Sequence, residues 1–192
     1  MFKNFISINY IMSSKALNNI KNDVVKVTVM SVVSGYLSGK DLMDQKWQMN
    51  LAFTLLGFAI FELILAKHIT KSVFKEHLDM VKDLAKVSTM LITVKFMTTQ
   101  NINSLMDEKW LLGSAITLAG FAAYHLVTKK LLDTTGRKGD WKEISDDWVK
   151  VGTMLVVSHY LSGGDITSPA FLQKSANTVL GFNVGSLVDY VK

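Results

Sequence analysis

Ionisable side chains set inside apolar stretches are the groups in this sequence best placed to do chemistry. Glu62 and His125 each come late in a long uncharged run, and Lys95 and His159 late in a shorter one. A charge in such a run needs a partner, water or a route to an interface, so within a membrane it serves either solute passage or a structural pair. Glu62 lies fifteen residues past Trp47, about 22 Å along a helix, close enough to the far surface to snorkel. Lys95 follows Lys86 by nine residues, about 13 Å. It is expected to turn inward among neighbouring helices onto an acidic or hydroxyl group.

Other reactive patterns are missing. His68, His77, His125 and His159 lack metal-site spacing with acidic partners, the chain has no cysteine, and no glycine-rich loop follows a strand. Ser162-Gly163-Gly164-Asp165 resembles a phosphate or nucleophile turn, but its twin Ser38-Gly39-Lys40-Asp41 identifies both as a helix-ending glycine and a turn. No catalytic, cofactor-binding or metal-binding residue is expected, and the chain is not read as an enzyme. The net charge of +5 rests on twenty lysines and one arginine, Arg137, which suits lysines flanking a membrane better than the arginine forks of nucleic-acid readers, so no nucleic acid is expected.

The elements that carry these residues repeat. Asp23-Val24-Val25-Lys26-Val27-Thr28-Val29-Met30 returns as Asp83 to Met90 and again as Asp147 to Met154, sharing D-x-x-K-V-x-x-M. Leu42-Met43-Asp44-Gln45-Lys46-Trp47 returns as Leu105 to Trp110, and Ser168-Pro169-Ala170-Phe171 aligns with its last four positions. Gly57-Phe58, Gly120-Phe121 and Gly181-Phe182 follow in register. With a single proline in 192 residues, the chain reads as all-α: six helices in three tandem two-helix repeats. A closed arrangement around a pseudo-three-fold axis is preferred over a layered row. Residues 1–20 form an amino-terminal interfacial segment, 21–70 repeat 1, 71–132 repeat 2 and 133–192 a linker with repeat 3, all within one structural domain. The hydrophilic stretch from Asp133 to Asp147 is expected to be a solvated loop, and the stretch from Lys71 to Ala85 an amphipathic lead into the second repeat.

Each aligned column has a physical use. Asp44, Asp107 and Ser168 suit helix N-caps, with Pro169 at the first helical position. Gly57, Gly120 and Gly181, with Gly185 a turn later, are small residues where helices can approach closely. The stripe of Thr28, Ser88 and Gly152 with Gly35, Lys95 and His159 is expected to look inward.

The second helix of each repeat carries the lipid signal, because Trp47 to Phe61, Trp110 to Thr128 and Ser175 to Val188 contain almost no charge. Mean hydropathy is +0.25. With six crossings, sixteen Lys or Arg side chains flank one surface, while Lys40, Lys46, Lys109 and Lys174 occupy the other. That bias predicts both termini on the cytoplasmic or equivalent side, with Lys26, Lys86 and Lys150 snorkelling there. Trp47, Trp110, Phe171, Tyr36, Phe96 and Tyr160 then form an interface belt on the opposite side.

The expectation is a multi-pass membrane protein with a structural or assembly role, in contact with a lipid bilayer and other protein subunits and needing no cofactor. The alternative is a small transporter or channel subunit that uses the ionisable residues in its spans. The Lys-, Asn- and Met-rich composition, compact two-helix repeats and Leu-Met-Asp-x-Lys-Trp turns resemble small multi-pass proteins in the internal membranes of large DNA virus particles. That resemblance implies a virion membrane tied to a capsid, and it names no site residues.

Overall fold

A computed structural model describes residues 14–70, 74–135 and 140–188, so the first thirteen residues of the expected interfacial segment lie outside it. The described residues fold into six principal helices with no strand: α1 Ser14–Leu37, α2 Gln45–His68, α3 Leu78–Thr99, α4 Glu108–Asp133, α5 Asp140–Leu161 and α6 Pro169–Val188. The linker is shorter than the hydrophilicity of Asp133 to Asp147 suggests. α5 starts at Asp140, because Trp141, Ile144 and Trp148 repeat at helical spacing among the charges and Lys142 pairs back to Asp133 at 3.1 Å. Ahead of α3 a 3-10 turn spans Lys75–His77, while residues 71–73 lie outside the described residues.

The hairpin turns are set locally. Gly39 (φ +67°) and Gly163 (φ +76°) end α1 and α5 in the left-handed region, where a side chain would be strained, and the following amides of Lys40 and Gly164 donate to Gly35 and His159 carbonyls at 2.9 Å. The second helices then start on side-chain caps. Asp44 accepts from the Lys46 amide, Asp107 from the Trp110 amide at 2.8 Å and Ser168 from the Phe171 amide at 3.3 Å.

Contact between hairpins is more extensive than contact within them. α2 lies along α3, α4 along α5, and α6 returns to lie along α1, so the series of contacts closes on itself. Glycines permit each approach. A Cβ on Gly57 would fall 2.6 Å from the Met90 Cα, one on Gly120 2.9 Å from the Met154 carbonyl oxygen, and one on Gly181 2.6 Å from the Met30 carbonyl oxygen. These methionines are the last residues of the three D-x-x-K-V-x-x-M blocks, so one column of glycines meets one column of methionine backbone. Gly185 adds a fourth approach, with its Cβ position 2.7 Å from the Lys26 carbonyl oxygen.

Among the described residues the buried apolar side chains are Val27, Phe61, Val87, Tyr124, Val151 and Phe171. The valines form one aligned column next to the lysines, and Phe61 and Tyr124 another whose third member is Gly185. Large apolar side chains instead populate the outside, among them Leu56, Leu63, Ile64, Leu112, Leu126, Val127, Leu172 and Leu180. Two helices, α2 and α4, are long and apolar enough to cross a membrane, and only 17% and 11% of their apolar windows are buried within the fold.

Candidate functional site: an ion-pair layer joining three hairpins

At the end of the bundle opposite the hairpin turns, the repeated Asp and Lys of the first helices pair across hairpins. Lys86 meets Asp23 at 2.6 Å, Lys150 meets Asp83 at 2.8 Å, and Lys26 pairs with Asp147. Each lysine takes the aspartate of the preceding hairpin, and Lys26 takes that of the last. Lys26, Lys86 and Lys150, expected to snorkel to one surface, are each paired with an aspartate, and about three-quarters of each lysine side chain is out of solvent. A carboxylate within reach offers a partly desolvated ammonium more than bulk water does once its stem is packed.

The second helices supply a third member to each node. Glu62, Ser186 and His125 occupy one column, and each reaches the Asp–Lys pair beside it. Glu62 receives Lys86 at 3.1 Å and the Asn19 side-chain amide at 3.0 Å, and its side chain is 7% exposed, so it is paired within the bundle. His125 Nε2 lies 2.8 Å from Asp83, and the Ser186 hydroxyl donates to Asp147 at 3.4 Å. Both α2 and α4 pass through a π turn here, over Phe61–Leu65 and Tyr124–Thr128, where the amides of Ala66 and Lys129 reach back five residues. Such a turn inserts one residue into the helix and changes the direction of the side chains beyond it. α6 has Gly185 where Phe61 and Tyr124 begin those turns, and it stays α-helical, close against α1.

The three nodes share a frame but not a charge. Asp23, Glu62 and Lys86 set two carboxylates on one ammonium; Asp83 lies between His125 and Lys150; Asp147 and Lys26 balance with the neutral Ser186. Burial would raise the Asp83 pKa, but the His125 hydrogen bond and Lys150 outweigh it and hold that carboxyl at about 2. For Asp23, burial prevails, helped by the Glu62 charge, and its pKa is raised despite Lys86. Burial favours neutral Lys86, yet its two carboxylates outweigh that and hold its pKa above the ordinary value.

Lys95 and His159 are elsewhere, near the hairpin turns. The Lys95 ammonium stands 6.0 Å from the Trp110 ring centroid, and His159 stacks on Phe171 with centroids 4.2 Å apart and planes 8° from parallel. In the same column, a Cβ on Gly35 would meet Leu42 at 2.9 Å and the Trp47 indole at 3.4 Å. This column faces the leading aromatic of its own hairpin, not a shared axis, and the partner of Lys95 is a ring where an acid or hydroxyl was expected. A cation over an indole is a favourable pair that sequence spacing does not disclose. Of the remaining aromatics, Tyr36, Phe96 and Tyr160 are exposed, Trp47 and Trp110 half-buried and Phe171 buried.

Sequence reasoning missed the Asp–Lys ring, although both charges recur in all three blocks. Among the described residues no group of three or more His, Asp or Glu side chains is arranged to hold a metal. Comparison with protein-family models, curated protein sequences and solved structures finds no match to this chain.

Proposed function

We propose that this chain is a multi-pass membrane protein of structural or assembly role, built as three tandem helical hairpins about a pseudo-three-fold axis. The observation that carries this reading is the exposure of α2 and α4, whose apolar windows are only 17% and 11% buried within the fold. The apolar core helix of a water-soluble bundle would be mostly buried, whereas a lipid-facing helix presents such side chains outward. Of the other four helices, α6 is 20 residues long, about 30 Å and the thickness of a hydrocarbon core, whereas α1, α3 and α5 cross with shorter apolar stretches shielded by the second helices. Their apolar stretches begin at Val27, Val87 and Val151, so the paired Asp and Lys side chains of α1, α3 and α5 lie at the interface outside the spans.

An assembly role is favoured over solute passage because the charged groups are satisfied by one another at one end of the bundle, with Glu62 and His125 both engaged there. The reading includes contact with other protein subunits and extends to a virion membrane joined to a capsid. No catalytic step belongs to it. The chain has no native cysteine, so single cysteines at Ser38, Asn103 and Thr134 can be labelled with an impermeant reagent in oriented vesicles. The Ser38 and Asn103 variants should react from one side and Thr134 from the other. Labelling of all three from the same side, or recovery of the protein in water without detergent, would overturn the reading.

A further inference from the structure

The seam that closes the bundle, where α6 lies along α1, differs in chemistry from the other two. On α6, Gln173, Lys174 and Asn177 stand where α2 has Met49, Asn50 and Phe53 and α4 has Leu112, Gly113 and Ile116. Past the end of α1, Lys40 stands where the other first helices are followed by Gln100 and Gly164. These four side chains, with Ser38, line one cleft of about 450 Å³ near the hairpin turns. We propose that this cleft binds the phosphate head group of an anionic phospholipid in the leaflet on the hairpin-turn side. That a lipid carries the phosphate rests on the membrane reading above.

The cleft is positive, and the acceptors beside it are engaged. Lys40 and Lys174 enter none of the ion pairs among the described residues, and no described residue lining the cleft is acidic. The last carbonyls of α1 would repel an anion if they were open. Those of Ser34, Gly35 and Tyr36 accept from the amides of Ser38, Lys40 and Gly39, and that of Leu37 accepts from the Asn177 side chain at 3.0 Å. Asn177 also donates to the Ser38 hydroxyl at 3.3 Å, which leaves the Ser38 hydrogen to be offered to a ligand. The aligned Ser162 instead spends its hydrogen on the Ser158 carbonyl at 2.8 Å. Two ammoniums, a hydroxyl and the Gln173 amide suit a tetrahedral oxyanion, and a phosphate monoester carries about −1.5 to −2 near neutral pH, which two lysines balance. From Asn177 toward the far surface, exposed Leu180, Val184 and Leu187 continue along one side of α6 and give acyl chains an apolar track below the head group.

Full-length protein in an uncharged detergent is titrated with dioctanoyl phosphatidic acid, and binding is read by native mass spectrometry and by the rise in melting temperature. Combining Lys40→Gln with Lys174→Gln should weaken binding by about tenfold or more, and dioctanoyl phosphatidylcholine should bind the wild type more weakly by a similar factor. Both lysines are exposed, so the fold does not depend on them. Combining Lys46→Gln with Lys109→Gln removes the same charge from the same surface outside the cleft, and that variant should bind as the wild type does. Equal binding by the wild type and the Lys40 and Lys174 double variant would overturn the proposal, as would an equal loss in both double variants. Inorganic phosphate that matches the lipid's affinity would assign the cleft to a soluble anion and overturn the lipid as its ligand. The membrane reading fails instead on same-side cysteine labelling or on recovery of the protein without detergent, so the two failures are distinct.

Discussion

Lys26 in α1 is ion-paired to Asp147 in α5, 121 residues further along the chain, and with α6 lying on α1 this contact joins the first and last hairpins. Both side chains are about three-quarters shielded from solvent, so removing one leaves the other poorly solvated. Lys26→Met is expected to cost about 1–3 kcal/mol in detergent unfolding. The exchange Lys26→Asp with Asp147→Lys should recover part of that loss. Equal stability of Lys26→Met and wild type would show that the pair contributes nothing to closure.

Glycine-to-leucine substitutions test the hairpin seams. The Cβ position of Gly120 already lies 2.9 Å from backbone of α5, so Gly120→Leu must displace a helix and should destabilise by about 1–3 kcal/mol. Gly113→Leu on the same helix is the control, because nothing lies within 4 Å of its Cβ position. Thermal unfolding of the two variants in one detergent should separate them clearly. Equal melting would remove close packing as the role of Gly120.

Acid sensitivity should concentrate at Asp83. Its folded pKa of about 2 lies below the ordinary value of 3.8, so its contribution is present above 3.8 and is lost as pH falls toward 2. Asp83→Asn should lower stability at neutral pH, and the gap to wild type should close across that acid interval. A gap that stays constant down to pH 2 would exclude the pairing of Asp83 with His125 and Lys150 as its cause.

Near the turns, Lys95→Met should have only a modest effect. A half-buried ammonium at 6.0 Å from the Trp110 ring contributes about 0.5–1 kcal/mol, and Trp110→Leu should remove the same term, so the two losses should not add. Proteoliposome flux measured in parallel distinguishes a turn lock from a transport residue. Normal stability with abolished flux would favour the transporter reading over the assembly role.

Features settled within a turn or two of helix are legible in residue order alone. Asp44, Asp107 and Ser168 cap their helices, and Gly39 and Gly163 end theirs, because those hydrogen bonds and dihedrals involve residues no more than a few positions apart. The glycine columns marked where helices could approach, but not that Met30, Met90 and Met154 are what they approach. Long-range packing sets the other contacts. Whether Lys86 meets Asp23 or Asp147 depends on the order in which hairpins follow one another around the bundle, and spacing along the chain is the same for either order. The same holds for Glu62, whose partners Lys86 on α3 and Asn19 on α1 are set by packing and not by spacing. Lys95 finds Trp110 because the hairpin folds the second helix back over the first, and a charge selects among ring, acid and water only after the surrounding helices have fixed which of them is within reach.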